Sequence, residues 1–586
     1  MTHGSAPSGT SPVDSRPDAG GDRAAAAREA ALAAFAIVLV LARSTLRHHV
    51  VDLPLWDEAT YIHAGVDLLR SGLPAPDWGP LYSIWYWVQS LVVRDRIALP
   101  YVNWSLLLLA SLLTASLVAR SVGFGPLARV VVVTCLSVLS LFEGEQVHVT
   151  MLAGVLVGVA SVVAARARTV SRGTSGAAAV LAVGAFVRPE LTFAFLLSAG
   201  ASMIAAFRER APARALLARV LLPCATFAAL ALPFGVPLSR SRSFLAFSQH
   251  YALNVANSGE GGFNPWTECG KIVSRDFGPV QSVGEALKSN PRAFAWHAWT
   301  STSAIPAQAL HVLHALLPVG PWVREIAAYA LAALVLAGLA CAAIRVAATG
   351  RLRGAKEHDA DPLARPVSDD DRELLSVSIV ASCVLAASFA SMALAFPRSY
   401  HFRTPALGVL AVSLCGYRAV GKRIARWRVR PRWAWAVAAA VAVALPGRMG
   451  AAPWYASLVR RSERPTPLPG VQAATVFADH RPRGHVVVLE TWEGFPVYGG
   501  WDYANLDVNA CAPFERCLSD RRFDALVLTD RMVSWYASAR DTAFLAFIAD
   551  PWRSGFSAVP GGFLFVRSDV LPSERASTPV ARPADP

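Results

Sequence analysis

SLLLLASLLTASLVA, residues 105–119, is a long apolar stretch without a charged side chain, and it indicates the fold class of this chain. Similar blocks recur at TMLAGVLVGVASVVAA (150–165) and AAYALAALVLAGLACAAI (327–344). Helices of this length that are apolar on all sides are membrane spans. The sequence therefore predicts an α-helical polytopic membrane protein.

The composition supports the same class. The 586 residues are 54% hydrophobic and 16% charged, whereas soluble domains carry about 25% charged residues. The net charge of +14 comes largely from short basic clusters. These clusters are RARTVSR (166–172), RERAPARALLAR (208–219), RLRGAK (351–356) and KRIARWRVRPR (422–432). Short basic connections mark cytoplasmic loops, so we interpret the charge as a topological signal and expect no nucleic-acid partner.

The pattern predicts about eleven spans. They are 24–46, 101–119, 124–142, 147–165, 174–189, 191–207, 216–236, 322–346, 374–396, 404–420 and 433–449. With the N-terminus inside, every basic cluster is cytoplasmic, and the odd number of spans places the C-terminus outside the cytoplasmic membrane. The predicted domains are a disordered cytoplasmic tail (1–23) and a transmembrane domain (24–450) with outer loops 47–100 and 237–321.

The C-terminal part has a different pattern, which predicts a small extracytoplasmic α/β domain over 470–570 and a disordered tail over 571–586. GHVVVLET (484–491), FDALVLTD (523–530) and GGFLFVRS (561–568) are typical of strands, and 534–550 fits a helix. Cys511 and Cys517 could form a disulfide if this domain lies in an oxidising compartment.

The first candidate site is the acidic pair Asp57–Glu58, in LPLWDEATYIHAG (53–65) after the first predicted span. An unpaired carboxylate near hydrocarbon is costly to ionise, which suits a general base. The alternative is a helix start, where acidic side chains are favoured by the helix dipole. In the same loop, 61–72 and 79–93 are predicted to form interfacial helices.

A second acidic group lies between the third and fourth predicted spans. It consists of Glu143, Glu145 and His148. Carboxylates and an imidazole at the mouth of a helix could hold a divalent cation together with Asp57, or contact an acceptor. The alternative is an ordinary polar turn that caps the next helix.

Basic residues form the third candidate group, on the outer face where positive charge is unusual. Arg188 stands beside Glu190 in FVRPEL, and Arg398 and Arg403 stand in PRSYHFR (397–403). Guanidinium groups match phosphate oxygens, so these arginines are candidates for phosphate binding. An internal salt bridge between Arg188 and Glu190 or Asp57 is the alternative.

Taken together, residues 30–450 resemble the GT-C superfamily of membrane glycosyltransferases, such as the protein O-mannosyltransferases and the aminoarabinose transferases that act on lipid A. The resemblance is carried by WDEATY (56–61), GPLYSIWYW (79–87), FVRPEL (186–191) and PRSYHFRTP (397–405). It implies a sugar donor carried on a polyprenyl phosphate, inversion at the anomeric carbon, and an envelope glycan, lipid or protein as acceptor. No nucleotide cofactor is expected.

By this resemblance, Asp57 is the base that activates the acceptor hydroxyl and Glu58 is its partner, while Glu143 and Glu145 match an acidic element of the second outer loop. Arginines would bind the donor phosphate. Two other interpretations stay open. A lipid or glycan transporter would favour charges inside the spans, and a scaffold would act through its C-terminal domain.

Overall fold

The computed structural model describes most of the chain. Described are residues 19–48, 57–138, 149–237, 240–260, 263–266, 268–316, 369–395, 397, 399–424, 469–479, 484–491, 503–511, 513–538, 540–559 and 563–570. This portion is mainly helical and ends in a small sheet. The predicted spans 322–346 and 433–449 lie outside it, as do both predicted tails except the first tail's last residues.

The helices of the predicted transmembrane domain come first along the chain. They are α1 (Ala19–His48), α2 (Asp57–Val66), α3 (Leu68–Ser71), α4 (Pro80–Ser90), α5 (Leu99–Ser121), α6 (Pro126–Val138), α7 (Val149–Arg166), α8 (Val170–Ala185), α9 (Leu191–Arg208), α10 (Ala213–Phe234), α11 (Arg240–Asn257), α12 (Cys269–Phe277), α13 (Val283–Ser289), α14 (Pro291–Leu316), α15 (Asp369–Leu394) and α16 (Arg403–Ile424). The predicted interfacial helices correspond to α2 with α3 and to α4.

Five of the described helices are long and apolar enough to cross a membrane. Their apolar segments are Leu99–Ser121, Val149–Arg166, Leu191–Arg208, Ala213–Phe234 and Arg372–Leu394. By length and composition this is a helical membrane protein. The count of eleven spans is not confirmed: α6 and α8, with 13 and 16 residues as described, are shorter than the roughly 20 residues that a span needs.

Helix α7 lies at the centre of the bundle. Its glycines let the neighbouring helices approach closely. A Cβ added to Gly158 would lie 2.4 Å from Thr114 of α5 and 2.9 Å from Leu407 of α16. One added to Gly154 would lie 2.9 Å from the carbonyl oxygen of Arg403. Two-thirds of the apolar window of α7 (67%) is buried, against 6% for α10, whose leucines stay exposed at the periphery.

The bundle has two chemically different ends, which we name by their residues. At the Glu58 end, α2 and α4 lie beside the α8–α9 turn, and the backbone N–H of Leu81 donates to the carbonyl of Phe186 at 3.1 Å. At the arginine end, Arg418 donates to the carbonyl of Val122 at 2.9 Å, and Arg372 donates to that of Arg168 at 2.6 Å.

Residues 237–321, predicted as an outer loop, contain the four helices α11–α14. Phe247, Tyr251 and Phe277 form the centre of their aromatic core. His297 of α14 joins this unit to the bundle, because its Nε2 donates to the carbonyl of Leu394 at 3.0 Å. This contact places the unit at the Glu58 end.

The C-terminal domain contains a mixed five-stranded sheet in the order β2-β1-β3-β5-β4. Its elements are α17 (Pro469–Asp479), β1 (Val486–Glu490), β2 (Tyr503–Asp507), α18 (Phe514–Ser519), β3 (Ala525–Val527), α19 (Asp530–Ser538), α20 (Thr542–Ala549), β4 (Phe556–Ala558) and β5 (Leu564–Arg567). Strand β1 pairs in parallel with β2 and β3, whereas β5 pairs antiparallel with β3 and β4.

The three strands read from the sequence coincide with β1, β3 and β5, while the short strands β2 and β4 were missed. The single helix predicted over 534–550 was wrong in its extent: α19 ends at Ser538, and Asp541 caps a new helix by accepting from the N–H of Phe544.

A disulfide joins Cys511 and Cys517. Ile97 of the first loop packs against the core of this domain, which puts the domain at the Glu58 end.

Candidate functional site

Asp57 and Glu58 form the first turn of α2. This is the position that a helix start favours, because carboxylates offset the positive end of the helix dipole. The two side chains nevertheless differ sharply in environment. Asp57 is exposed, whereas Glu58 is 3% exposed. The protein itself therefore buries Glu58 and not Asp57.

Glu58 lies against two phenols of α4. Oε1 of Glu58 accepts hydrogen bonds from the hydroxyls of Tyr82 and Tyr86. The two tyrosines are four residues apart, so they project from the same face of the helix. Their rings, with centroids 5.3 Å apart, pack edge to face. The carboxyl group is thus enclosed by aromatic side chains instead of water.

Asn103 of α5 extends this cluster into the bundle. Its Nδ2 donates to the hydroxyls of Tyr82 and Tyr86 at 2.9 and 2.6 Å. Its Oδ1 accepts from Nε1 of Trp85 at 2.6 Å and from Nε2 of Gln89 at 3.0 Å. We call Glu58, Tyr82, Tyr86 and Asn103 the carboxyl cluster. It fixes α4 relative to both α2 and α5.

Burial raises the pKa of Glu58 to about 8, although the two tyrosine hydrogen bonds oppose this rise. Removing a carboxylate from water disfavours its charged form. At neutral pH the Glu58 carboxyl is therefore mainly protonated. A protonated carboxyl still offers a carbonyl oxygen that can accept both phenol hydrogen bonds.

The turn that carries Arg188 packs directly on the start of α4. Gly79, which precedes α4, has a positive φ of 58°, and a Cβ there would lie 2.4 Å from the carbonyl oxygen of Val187. Nε of Arg188 donates to Glu190 at 2.7 Å. The salt bridge considered as an alternative is thus present. The structure brings this arginine turn to the same packed unit as Glu58.

Of the two other arginines predicted to bind phosphate, the structure describes Arg403 but not Arg398. Arg403 begins α16, is 7% exposed, and has its backbone against Gly154 of α7. Its neighbour His401 has its ring 6.5 Å from that of His250 in α11. Arg398 lies outside the described residues.

Glu143, Glu145 and His148 also lie outside the described residues, so the predicted cation or acceptor site there stays a prediction. Among the described residues, no group of three or more His, Cys, Asp or Glu side chains could hold a metal ion. Asp57 and Glu58 thus have no further ligands of these types grouped with them in the part of the chain that is described.

Tyr82, Tyr86 and Asn103 were not predicted from the sequence as members of the site. Two signals were present: two tyrosines at helical spacing in one loop, and a lone amide near the start of an otherwise apolar helix. A buried polar group in a span requires partners. Those partners could have been sought among the tyrosines of the preceding loop.

The site therefore consists of an exposed carboxylate beside a buried neutral carboxyl on α2, with an arginine turn packed against α4, the helix that encloses Glu58. Such an arrangement offers a proton acceptor that substrates can reach and a cation for a developing anion. Comparison of the chain with protein-family models, with curated proteins and with solved structures finds no match.

Proposed function

We propose that this chain is a membrane glycosyltransferase of the GT-C type, which moves a sugar from a polyprenyl-phosphate donor to an acceptor at the outer face of the cytoplasmic membrane. The observation that supports it most is the packing of α2, α4 and the Arg188 turn into one unit at the Glu58 end. Gly79 and Leu81 make the contacts to that turn. The proposed proton acceptor, Asp57, and the proposed phosphate-binding cation, Arg188, then belong to the same packed unit.

The proposed roles of the two carboxylates follow from their exposure. Asp57 is exposed at the start of α2 and can meet an acceptor hydroxyl. Glu58 has Oε1 engaged by two phenols and is enclosed. Asp57 is therefore the base, and Glu58 is the positioning residue that fixes the first turn of α2 on α4.

The transfer is a single displacement that inverts the anomeric carbon. The acceptor oxygen forms a bond to that carbon as its proton passes to the carboxylate of Asp57. The bond between the anomeric carbon and the phosphate oxygen breaks, and its electron pair leaves with the phosphate. The products are the glycosylated acceptor and a polyprenyl phosphate.

Arginines would balance the charge that develops on the departing phosphate. Arg188 is held in orientation by Glu190 at 2.7 Å, and Arg403 starts a helix at the same end of the bundle. Fixed cations in a water-poor site supply a large part of the catalysis in reactions of this kind. Arg398, Glu143, Glu145 and His148 are further candidates, for the donor phosphate and for the acceptor or a divalent cation.

The location at a membrane surface fits this donor. A polyprenyl chain lies in the hydrocarbon, so the bond that reacts must lie at the interface. Helix α4 is rich in Trp and Tyr, which are side chains typical of that depth. The acceptor is an envelope glycan, lipid or protein.

The test uses the purified full-length protein reconstituted in vesicles with lipid-linked sugars extracted from the native membrane. Asp57→Asn should reduce the release of free polyprenyl phosphate by about 100-fold or more. Glu515→Gln is the matched control, because Glu515 is also an exposed acid in the first turn of a helix. Equal release by the wild type and Asp57→Asn would contradict the role of Asp57. Movement of intact lipid-linked sugar across the bilayer, without release, would favour the transporter.

A further inference from the structure

A cavity of about 490 Å³ lies at the arginine end of the bundle, away from the carboxyl cluster. It is formed where α5, α7 and α16 end and where α15 begins. The lining residues are Arg120, Ser121, Gly123, Ala165, Arg166, Glu373 and Arg418. Its volume lies within the range of about 300–1,000 Å³ that small-molecule sites occupy.

The cavity has a basic lining, which contains three arginines and one glutamate; a second glutamate, Glu29, offsets the charge of Arg120. These arginines come from three helices that are far apart in sequence. Arg120 belongs to α5, Arg166 ends α7, and Arg418 belongs to α16. Only the packing of the bundle brings these three residues to one cavity.

Two of the three guanidinium groups are held in position. Nη1 of Arg418 donates to the carbonyl of Val122 at 2.9 Å. The same group lies over Gly123, where a Cβ would be 2.6 Å from Nη1 and where φ is +84°. Arg120 pairs with Glu29 of α1 at 3.2 Å. Arg166 is exposed at the mouth.

Positive charge at this end has two general explanations, which are the excess of basic residues on the cytoplasmic side of membrane proteins and the negative end of the helix dipole at each helix C-terminus. Both effects favour basic residues near helix ends. Neither requires arginines from three helices to line one cavity, nor a glycine that leaves room for one of them. A bound anion would account for this arrangement.

We propose that this cavity binds the phosphate group of an anionic ligand. Guanidinium groups match phosphate oxygens in geometry and charge. Basic pockets between helices at the ends of membrane proteins bind lipid headgroups. The phosphate can belong to a membrane phospholipid or to a soluble phosphate compound, and the two differ only in whether acyl chains accompany it. This site does not depend on the proposed sugar transfer.

The experiment titrates the full-length protein, purified in a non-ionic detergent, with phosphatidylglycerol, phosphatidylcholine or inorganic phosphate. Bound lipid is counted by native mass spectrometry. We expect phosphatidylglycerol to bind in preference to phosphatidylcholine, and Arg166→Gln to weaken it about fivefold, the effect of one surface cation on an anionic headgroup. Arg166→Gln with Arg418→Gln should weaken it further.

Arg214→Gln is the matched control, because Arg214 is exposed at the same end but does not line the cavity. Its affinity should equal that of the wild type. Binding of inorganic phosphate with the same dependence on Arg166, without binding of lipid, would assign the site to a soluble phosphate compound. Equal affinity of all variants for phosphatidylglycerol, or no binding of either anion, would overturn the proposal. Arg166→Gln alone decides the question if the double variant does not fold.

Discussion

The hydroxyl of Tyr86 donates to Oε1 of Glu58 across 2.5 Å, and so joins two helices that lie 28 residues apart in sequence. Because of this contact, the side chains of Asp57 and Glu58 have different environments, although the two residues are adjacent in sequence. One carboxyl is enclosed and mainly neutral, and the adjacent one is exposed. The proposed roles of Asp57 as base and Glu58 as positioning residue rest on this difference.

Asp57→Asn should reduce sugar transfer by about 100-fold to 10,000-fold, the usual contribution of a positioned general base. The substitution keeps the size of the side chain and removes its proton-accepting charge. Rates of release of polyprenyl phosphate at saturating donor provide the measurement. Thermal unfolding should change little, because Asp57 is exposed. A variant that retains the wild-type rate would remove Asp57 from the mechanism.

Glu58→Gln should flatten the dependence of stability on pH. In the wild type the folded pKa is about 8 and the ordinary value is 4.5. Between these values the folded protein binds more protons than the unfolded chain, so its free energy of unfolding falls as pH rises, by at most about 1.4 kcal/mol per pH unit. Gln resembles the protonated carboxyl and does not titrate. Thermal unfolding in detergent from pH 5 to 9 measures the difference.

Glu58→Ala is the contrasting variant for that experiment. It leaves the hydroxyls of Tyr82 and Tyr86 without their acceptor and opens a gap, which should cost about 3 kcal/mol at neutral pH. Glu58→Gln should cost much less at this pH. If the two variants are equally unstable, the neutral carboxyl is not what holds α2 on α4.

Gly65→Ala should separate α2 from α4. A Cβ at Gly65 would lie 2.3 Å from the carbonyl oxygen of Ser83 and 2.7 Å from Cβ of Tyr86, so the helices must move apart. We expect the free energy of unfolding to fall by about 1–3 kcal/mol. Transfer activity should fall as well, because α2, which carries Asp57, shifts. Unfolding temperature and transfer rate are the two measurements.

Gly200→Ala is its matched control, since Gly200 also lies inside a helix but has no atom within 4 Å of an added Cβ. Without a clash, alanine should leave the protein unchanged or stabilise it by up to about 1 kcal/mol through helix propensity. Equal effects of the two substitutions would show that the α2–α4 contact is not close in solution.

Membrane sidedness can be tested by labelling single cysteines in intact cells with a membrane-impermeant thiol reagent. The background replaces all cysteines except Cys511 and Cys517 by alanine. Lys288→Cys and Arg516→Cys, both exposed and at the Glu58 end, should be labelled from outside. Arg214→Cys, at the arginine end, should be labelled only after permeabilisation. Labelling of all three in intact cells would contradict the predicted topology.

The fold was partly predictable from local patterns. Apolar blocks such as 105–119 and 150–165 identified long helices, because a helix in lipid must be apolar on all sides. Alternating and β-branched segments identified β1, β3 and β5. The helices within 237–321 were not predicted. Only one face of each is apolar, and these faces pack on one another, as around Phe247 and Tyr251. A one-sided apolar pattern is a weaker sequence signal than the continuous apolar stretch of a span.

The candidate site was predictable only as a set of positions. Asp57, Glu58 and Arg188 could be selected from residue type and expected depth. Their environments could not, because exposure depends on which helix covers which side chain. Nothing local in WDEATY distinguishes the carboxyl that Tyr82 and Tyr86 enclose from the one that stays exposed.

A helical membrane protein with a small C-terminal α/β region can be predicted from the amino-acid sequence, because hydropathy and periodicity are properties of consecutive residues. The burial of Glu58 beside an exposed Asp57, the packing of the Arg188 turn on Gly79, and the cavity lined by three distant arginines follow from the packing of the helices. Burial, pKa and electrostatic field depend on neighbours in space, which packing brings together from widely separated parts of the chain.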